Sequence, residues 1–222
     1  MTKSKAIIGS YVGILAFAAP VFLGAWTLAY WQGLLYVGVA LIGTTLNHLL
    51  VHEGSDITVE RASRAHEGQD WDKRILGAIF LVSVVTFAVA GLDSGRFGWS
   101  GPVPAWVAIA GVILMLAGQT LFAVAKRENA FFSSTVRLHD GHRVCDTGLY
   151  RVVRHPGYLG MLLSLLAFPL LMESFWAFIP ASVGALLLVV RTLLEDRFLT
   201  KGLPGYAAYA ARTRWRLIPG VF

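Results

Sequence analysis

Six apolar stretches, separated by short polar segments, organise the chain: residues 6–28, 31–51, 75–92, 105–125, 157–172 and 175–194. A helix needs about 20 apolar residues to cross roughly 30 Å of hydrocarbon, and most of these stretches reach that length; the fifth is short. In lipid the backbone must satisfy its own hydrogen bonds, which a helix does within one segment. No succession of alternating strands of about ten residues points to a barrel. The pattern predicts an all-α, polytopic membrane bundle of about six spans.

Composition agrees, with 56% hydrophobic and 14% charged residues, where a soluble domain has about a quarter charged. The net charge of +6 takes its meaning from its distribution. Lys3 and Lys5 precede the first span, and Arg61, Arg64, Lys73 and Arg74 lie between the second and third. Lys126, Arg127, Arg137, Arg143, Arg151 and Arg154 lie between the fourth and fifth, and Arg197, Lys201, Arg212, Arg214 and Arg216 follow the sixth. Only Arg96 falls in a loop on the other side. This positive-inside asymmetry predicts cytoplasmic termini in a cell inner membrane, with lipid rather than nucleic acid as the partner of the basic surface. The first stretch lacks a small-residue cleavage site and reads as a retained span, not a signal peptide.

Polar chemistry gathers in two places. The first is His142 to Gly160, HRVCDTGLYRVVRHPGYLG, which runs into the fifth span; His155-Pro156 suits a helix entry, because proline is tolerated in a first turn. The second is Arg191 and Glu195, spaced i and i+4 on one face of the sixth helix. Spans five and six form a hairpin broken at Glu173-Ser174, so these two regions are expected side by side as two walls of a pocket. Ionisable groups so near a span point to function; the alternative is an Arg191–Glu195 pair with Arg191 reaching the interface. Tyr206 and Tyr209 share a face in the tail, where Arg212, Arg214 and Arg216 serve either as surface cations or as partners of an acidic group.

Other features carry less. His48 and His52 share a helix face, but a metal site needs more ligands, and capping or solvation is the expected role. Residues 53–74, including the WDK of Trp71 to Lys73, suggest a short surface helix, and residues 93–104 a turn region. The segment after the fourth span reads as an irregular or two-stranded lid with a turn at Asp140-Gly141. Cys145, the single cysteine, reads as a small apolar side chain rather than a reactive thiol.

With these blocks the chain resembles the isoprenylcysteine carboxyl methyltransferase family of membrane enzymes. The family pattern H-x-x-V-x-x-G-x-Y-x-x-x-R-H-P-x-Y-x-G lies over His142 to Gly160, with Cys145 in the valine position. R-x-x-x-E follows at Arg191 to Glu195, then Tyr206, Tyr209 and RLIP at Arg216 to Pro219. Asn129 and the ERASRAHEGQDWDK segment also look like bacterial members. Asp196 stands where a second glutamate is common. The likeness covers roughly residues 55–222, which divides the chain into an N-terminal hairpin, 1–52, and a methyltransferase core, 53–222.

The resemblance implies S-adenosylmethionine as cofactor, in a cytoplasmic pocket built from the last two spans and the C-terminal tail. It makes His142, Arg143, Val144, Cys145, Tyr150, His155, Pro156, Gly157, Tyr158 and Glu195 cofactor contacts, and Arg191 the substrate-side, catalytic residue. The implied acceptor is lipophilic or amphipathic: an isoprenylcysteine-type carboxylate, a lipid amine or a thiol. No G-x-G-x-x-G turn supports a soluble Rossmann-type site. A sterol-type reductase using NADPH, which shares an R-H-P-x-Y-x-G-like stretch, and a non-catalytic membrane protein are the alternatives.

Overall fold

The computed structural model describes residues 3–51, 68–138 and 141–222. It is all-helical among those residues, apart from one isolated parallel bridge between Val153 and Trp215. The helices are α1 (Lys3–Ala25), α2 (Trp31–Leu50), α3 (Asp70–Ala90, continued by a π-helical turn Gly91–Phe97), α4 (Ala105–Glu128), α5 (Pro156–Leu171), α6 (Phe178–Gly202) and the short α7 (Tyr206–Arg212). Five of them are long and apolar enough to span a membrane, and α5 is a shorter apolar helix of 16 residues, about 24 Å long.

Helices consecutive in the chain run antiparallel. Ser10 on α1 meets His48 on α2 at 2.9 Å, and Arg191 in the second half of α6 reaches Asp72 at the start of α3 at 2.7 Å. One end of the bundle, here the polar end, therefore holds the starts of α1, α3 and α5 and the ends of α2, α4 and α6. The opposite, aromatic end exposes Trp26, Trp31, Trp99, Trp106 and Trp176, the amphipathic rings expected at an interface. Leu15, Leu23, Phe80, Ile109, Ile113 and Leu186 are among the large apolar side chains exposed on the helix perimeters, as befits a surface turned to lipid.

Glycines set a close crossing of α4 and α5. A Cβ on Gly118 would lie 2.6 Å from the Gly160 carbonyl oxygen, and one on Gly160 would lie 2.5 Å from that of Gly118. Near the other end a Cβ on Gly111 would lie 2.3 Å from the Leu171 backbone nitrogen. The α4 and α5 backbones thus touch, as small residues allow where no hydrophobic effect drives helices together. Phe87 stacks on Phe168 at 4.2 Å, with the Tyr36 ring edge-on to both, so α2, α3 and α5 share one core.

Several boundaries differ from expectation. Trp71 to Lys73 belong to the first turn of α3, not to a surface segment, because Asp72 finds partners that let it be fully buried. Helix α6 continues to Gly202, about two turns beyond the apolar stretch; Glu195 and Asp196 are thus helical side chains facing the site. Helix also persists into the expected turn region as far as Phe97. His52 and the expected surface helix fall in residues 52–67, outside the described residues.

Candidate functional site

The segment after α4 is laid over the polar end by bonds to charged helix residues. Asp72 accepts from the Val136 amide at 2.8 Å, and the Val136 carbonyl accepts from the Gln69 amide at 3.1 Å. Arg191 donates from Nη2 to the Ser134 carbonyl at 2.9 Å. Farther along, Glu128 at the end of α4 accepts from the Leu149 amide at 2.8 Å. Gly148 makes this approach possible: it has φ +49°, and a Cβ there would lie 2.0 Å from Glu128 Oε1. The expected lid is irregular, with no strand among its described residues.

The chain then enters α5 at Pro156, the first helical position, while the preceding residues pair with the tail. The Arg154 amide donates to Trp215 and the His155 amide to Arg216, both at 2.9 Å. Beneath this junction lies Asp196, 4% exposed. One carboxylate oxygen meets His155 Nε2 at 3.3 Å and the Tyr206 hydroxyl at 3.0 Å; the other meets Arg154 Nη2 at 3.3 Å and Arg216 Nε at 2.9 Å. One acidic side chain therefore ties α6 to the entry of α5, to α7 and to the tail. Its charge is balanced by two guanidinium groups, the condition under which buried carboxylates persist.

These elements enclose a cleft. His142, Arg143, Val144, Cys145, Tyr150, His155, Gly157, Tyr158 and Glu195 all line it, so nine of the ten expected cofactor contacts converge from four parts of the chain. Pro156 does not line it; it is buried in the first turn of α5. Arg191 does not line it either. Its guanidinium is 3% exposed and clasps Asp72, with Nε 2.7 Å from Oδ1 and Nη2 3.3 Å from Oδ2. It also lies 4.9 Å from the centre of the Tyr158 ring, a cation–π contact.

An Arg191–Glu195 pair is thus not what the helix spacing produces. Arg191 takes Asp72 and the Ser134 carbonyl, and Glu195 accepts a short hydrogen bond from the Tyr158 hydroxyl. Of the tail arginines, Arg216 holds Asp196, whereas Arg212 makes an exposed contact with Asp146 at 3.2 Å.

The cleft has one acidic side, several cations and an aromatic lining. The rings of Phe131 and His142 stack at 4.6 Å, and those of His155 and Tyr158 at 5.7 Å. Burial raises the hydroxyls of Tyr150, Tyr206 and Tyr209 well above the usual phenol value, and Asp196 pushes Tyr206 further, so all three are protonated donors. Tyr209 donates to the Tyr150 carbonyl at 2.7 Å and Tyr150 to the Ala125 carbonyl at 3.2 Å. Burial also raises the Cys145 thiol, outweighing its contacts with Thr147; this suits a lining group rather than a nucleophile.

Two buried polar atoms among the lining residues, Arg154 Nε and Thr135 Oγ1, have no hydrogen-bond partner. Buried groups of this kind are costly unless something meets them. A zwitterionic ligand bearing an aromatic base fits the donor set. Its size is another matter: the free volume is about 90 Å³, against roughly 300–1,000 Å³ for typical ligand pockets. A nucleoside-sized molecule enters by displacing part of the roof formed by Phe131, Phe132 and residues 142–145.

Comparison with known proteins bears on the same region. The isoprenylcysteine carboxyl methyltransferase (ICMT) family model matches residues 108–201. The matched residues are less than half of the chain. They run from α4 through the roof and α5 to the last turn of α6, so the family match covers most of the cleft. The chain is also 32% identical over 133 residues to the cobalt-zinc-cadmium resistance protein CzcN of Cupriavidus metallidurans, covering 59% of this chain and 58% of that protein. Among the described residues no group of three or more His, Cys, Asp and Glu side chains is arranged to hold a metal ion.

Asp72, Phe131, Phe132 and Thr135 are among the site residues that the sequence did not single out, and Asp196 was noted only as a departure from the family pattern. A signal existed for the aspartates: Leu188, Thr192 and Asp196 follow i, i+4 spacing along the buried stripe of α6, and acidic residues at span ends favour paired positions.

Proposed function

We propose that this protein is an integral membrane methyltransferase that holds S-adenosylmethionine in the polar-end cleft and methylates a lipophilic or amphipathic acceptor. The observation that carries this reading is the convergence of His142–Cys145, Tyr150, His155, Gly157, Tyr158 and Glu195 on one cleft within the family-matched segment. The family match favours a methyltransferase over an NADPH-dependent reductase. The basic residues at this end favour a cytoplasmic orientation.

When bound, the cofactor supplies a methyl group on a positively charged sulfur. Glu195 is suited to its ammonium, and Arg154 and His155 to its carboxylate, as charge-assisted pairs in a partly dry site. Tyr150 and Phe131 offer ring faces to the base. The protein's contribution is alignment and exclusion of water, for which a rigid, cross-linked wall is well adapted. Arg191 is the acceptor-side residue in this scheme. It lies one turn from Glu195 along α6, and Asp72 and the Tyr158 ring fix its direction.

Isothermal titration of detergent-purified protein tests the cofactor. Saturable binding of S-adenosylmethionine is expected, weakened about tenfold or more by Glu195→Ala and by His155→Ala, the loss of one charged contact. Saturable NADPH binding without a response to S-adenosylmethionine would overturn the reading. Incubation with isotopically labelled S-adenosylmethionine, followed by mass spectrometry of lipid and thiol extracts, identifies the acceptor.

A further inference from the structure

His155 is held on every side but one. Its amide donates to the Arg216 carbonyl at 2.9 Å, and its carbonyl accepts from the Leu159 amide at 3.1 Å. It occupies the N-cap position of α5, yet its side chain caps nothing there. The ring lies nearly parallel to that of Tyr158, with 10° between the planes, and Nε2 is taken by Asp196 Oδ1 at 3.3 Å. Nδ1 has no partner among the described residues and, unlike Arg154 Nε, is not sealed from solvent. Because the residue is only 7% exposed and lines the cleft, this open nitrogen faces the cleft.

Asp196 decides which nitrogen always carries a hydrogen. Its Oδ2 engages Arg154 Nη2 at 3.3 Å and Arg216 Nε at 2.9 Å, so it stays a carboxylate, and a carboxylate only accepts. The Tyr206 hydroxyl gives its one proton to Oδ1 at 3.0 Å. Nε2 must therefore donate. A neutral His155 then presents the Nδ1 lone pair to the cleft, whereas a charged one presents an N–H. The first form repels an incoming carboxylate and the second binds it. Around the ring, Asp196 and Glu195 on α6 offset Arg154 beside it and Arg216 on the tail. Tyr158 and Tyr206 keep their protons by donating to Glu195 and Asp196, and Arg137, His142 and Arg143 line the cleft from the roof. A ligand carboxylate adds the negative charge that a second proton on His155 balances.

We infer that Asp196 is a positioning residue that acts through His155: by holding Nε2–H it leaves Nδ1 as the contact for the cofactor's carboxylate, so that cofactor binding takes up a proton at Nδ1. The proton comes from solvent, and no other bond is made or broken. The inference rests on the cofactor reading above and adds a consequence to it. Since the bound state holds one proton more than the free protein, affinity is greatest at low pH and falls as pH rises.

The test is calorimetric titration of the detergent-purified full chain with S-adenosylhomocysteine, which keeps the carboxylate and lacks the sulfonium charge. Titrations in phosphate and in Tris, whose ionisation enthalpies differ, count the protons exchanged. Uptake of about one proton per cofactor is expected at about pH 7.5, with affinity falling close to tenfold between about pH 7 and 8. 5′-Methylthioadenosine, which has no amino-acid group, should bind without uptake. Asp196→Asn keeps an oxygen for the two arginines and turns its amide NH2 to His155, so Nε2 accepts and the neutral ring carries its hydrogen on Nδ1. In that variant binding should persist while the uptake and the pH dependence vanish; a purely structural role would weaken binding and leave the proton count alone. Binding of S-adenosylhomocysteine without net uptake, equal uptake with 5′-methylthioadenosine, or unchanged uptake in folded Asp196→Asn overturns the inference and leaves the cofactor reading standing. No binding of S-adenosylhomocysteine at any pH removes both. The buffer comparison on the wild-type chain decides even if the variant does not fold.

Discussion

At the aromatic end of the bundle Asp93 is buried among neutral donors; at the polar end Asp72 and Asp196 are buried among cations. Asp93 accepts from the Ser100 amide at 2.7 Å, the Ser100 hydroxyl at 2.5 Å and the Ser174 hydroxyl at 2.6 Å. That arrangement joins two loops, and each of its donors is met. Asp196 engages two arginines, a histidine and a tyrosine, yet Arg154 Nε beside it stays unmet. One end is a closed polar knot that fastens the fold; the other combines fastening with unmatched charge and a cleft. The difference shows how to tell a structural buried carboxylate from one that organises a site. The partners' spare bonding capacity decides, more than the burial.

The largest expected effect sets these ends against each other. Asp72→Ala leaves the Arg191 guanidinium buried without its partner and releases the Val136 amide, which should cost about 3–5 kcal/mol and lower cofactor affinity about tenfold by loosening the roof. Asp93→Ala should cost about 2–3 kcal/mol while leaving the cofactor affinity of the folded protein unchanged. Thermal unfolding in detergent, paired with isothermal titration, reads both; equal loss of binding from both variants would erase the distinction between the two ends.

A smaller effect is expected at the helix entry. A Cβ on Gly157 would lie 2.7 Å from the Phe132 ring, so Gly157→Ala should push the roof outward at about 1–3 kcal/mol. Unfolding measurements report the cost, and tryptophan-independent binding assays report the altered cleft. An unchanged melting temperature would mean that Phe132 yields freely.

The smallest concerns Cys145. Because burial raises its thiol above the ordinary value, the reactive thiolate is scarce at neutral pH. Its reaction with a disulfide reagent should still be climbing, at close to tenfold per pH unit, between about pH 8 and 9. A rate already level by neutral pH would place an activated thiol in the cleft.

Much of this was legible in the chain. Apolar stretches marked the helices because lipid leaves the backbone few other choices, and α5 was visibly short. The likeness over His142 to Gly160 marked most of the cleft before its geometry was known. The helix starts were less legible: hydropathy placed Asp72 outside the third span, since an acidic residue lowers any apolar average whether or not it is paired.

By itself, the sequence determined the all-helical membrane bundle and the two segments that meet in the cleft, for both follow from local composition and spacing along one chain. Tertiary structure decided the partnerships. Spacing of i and i+4 permits Arg191 to meet Glu195, yet Asp72, 119 residues away, supplies a better-placed carboxylate, and Glu195 turns to Tyr158 instead. It also decided which nitrogen of His155 faces the cleft, because Asp196, 41 residues away, holds the other.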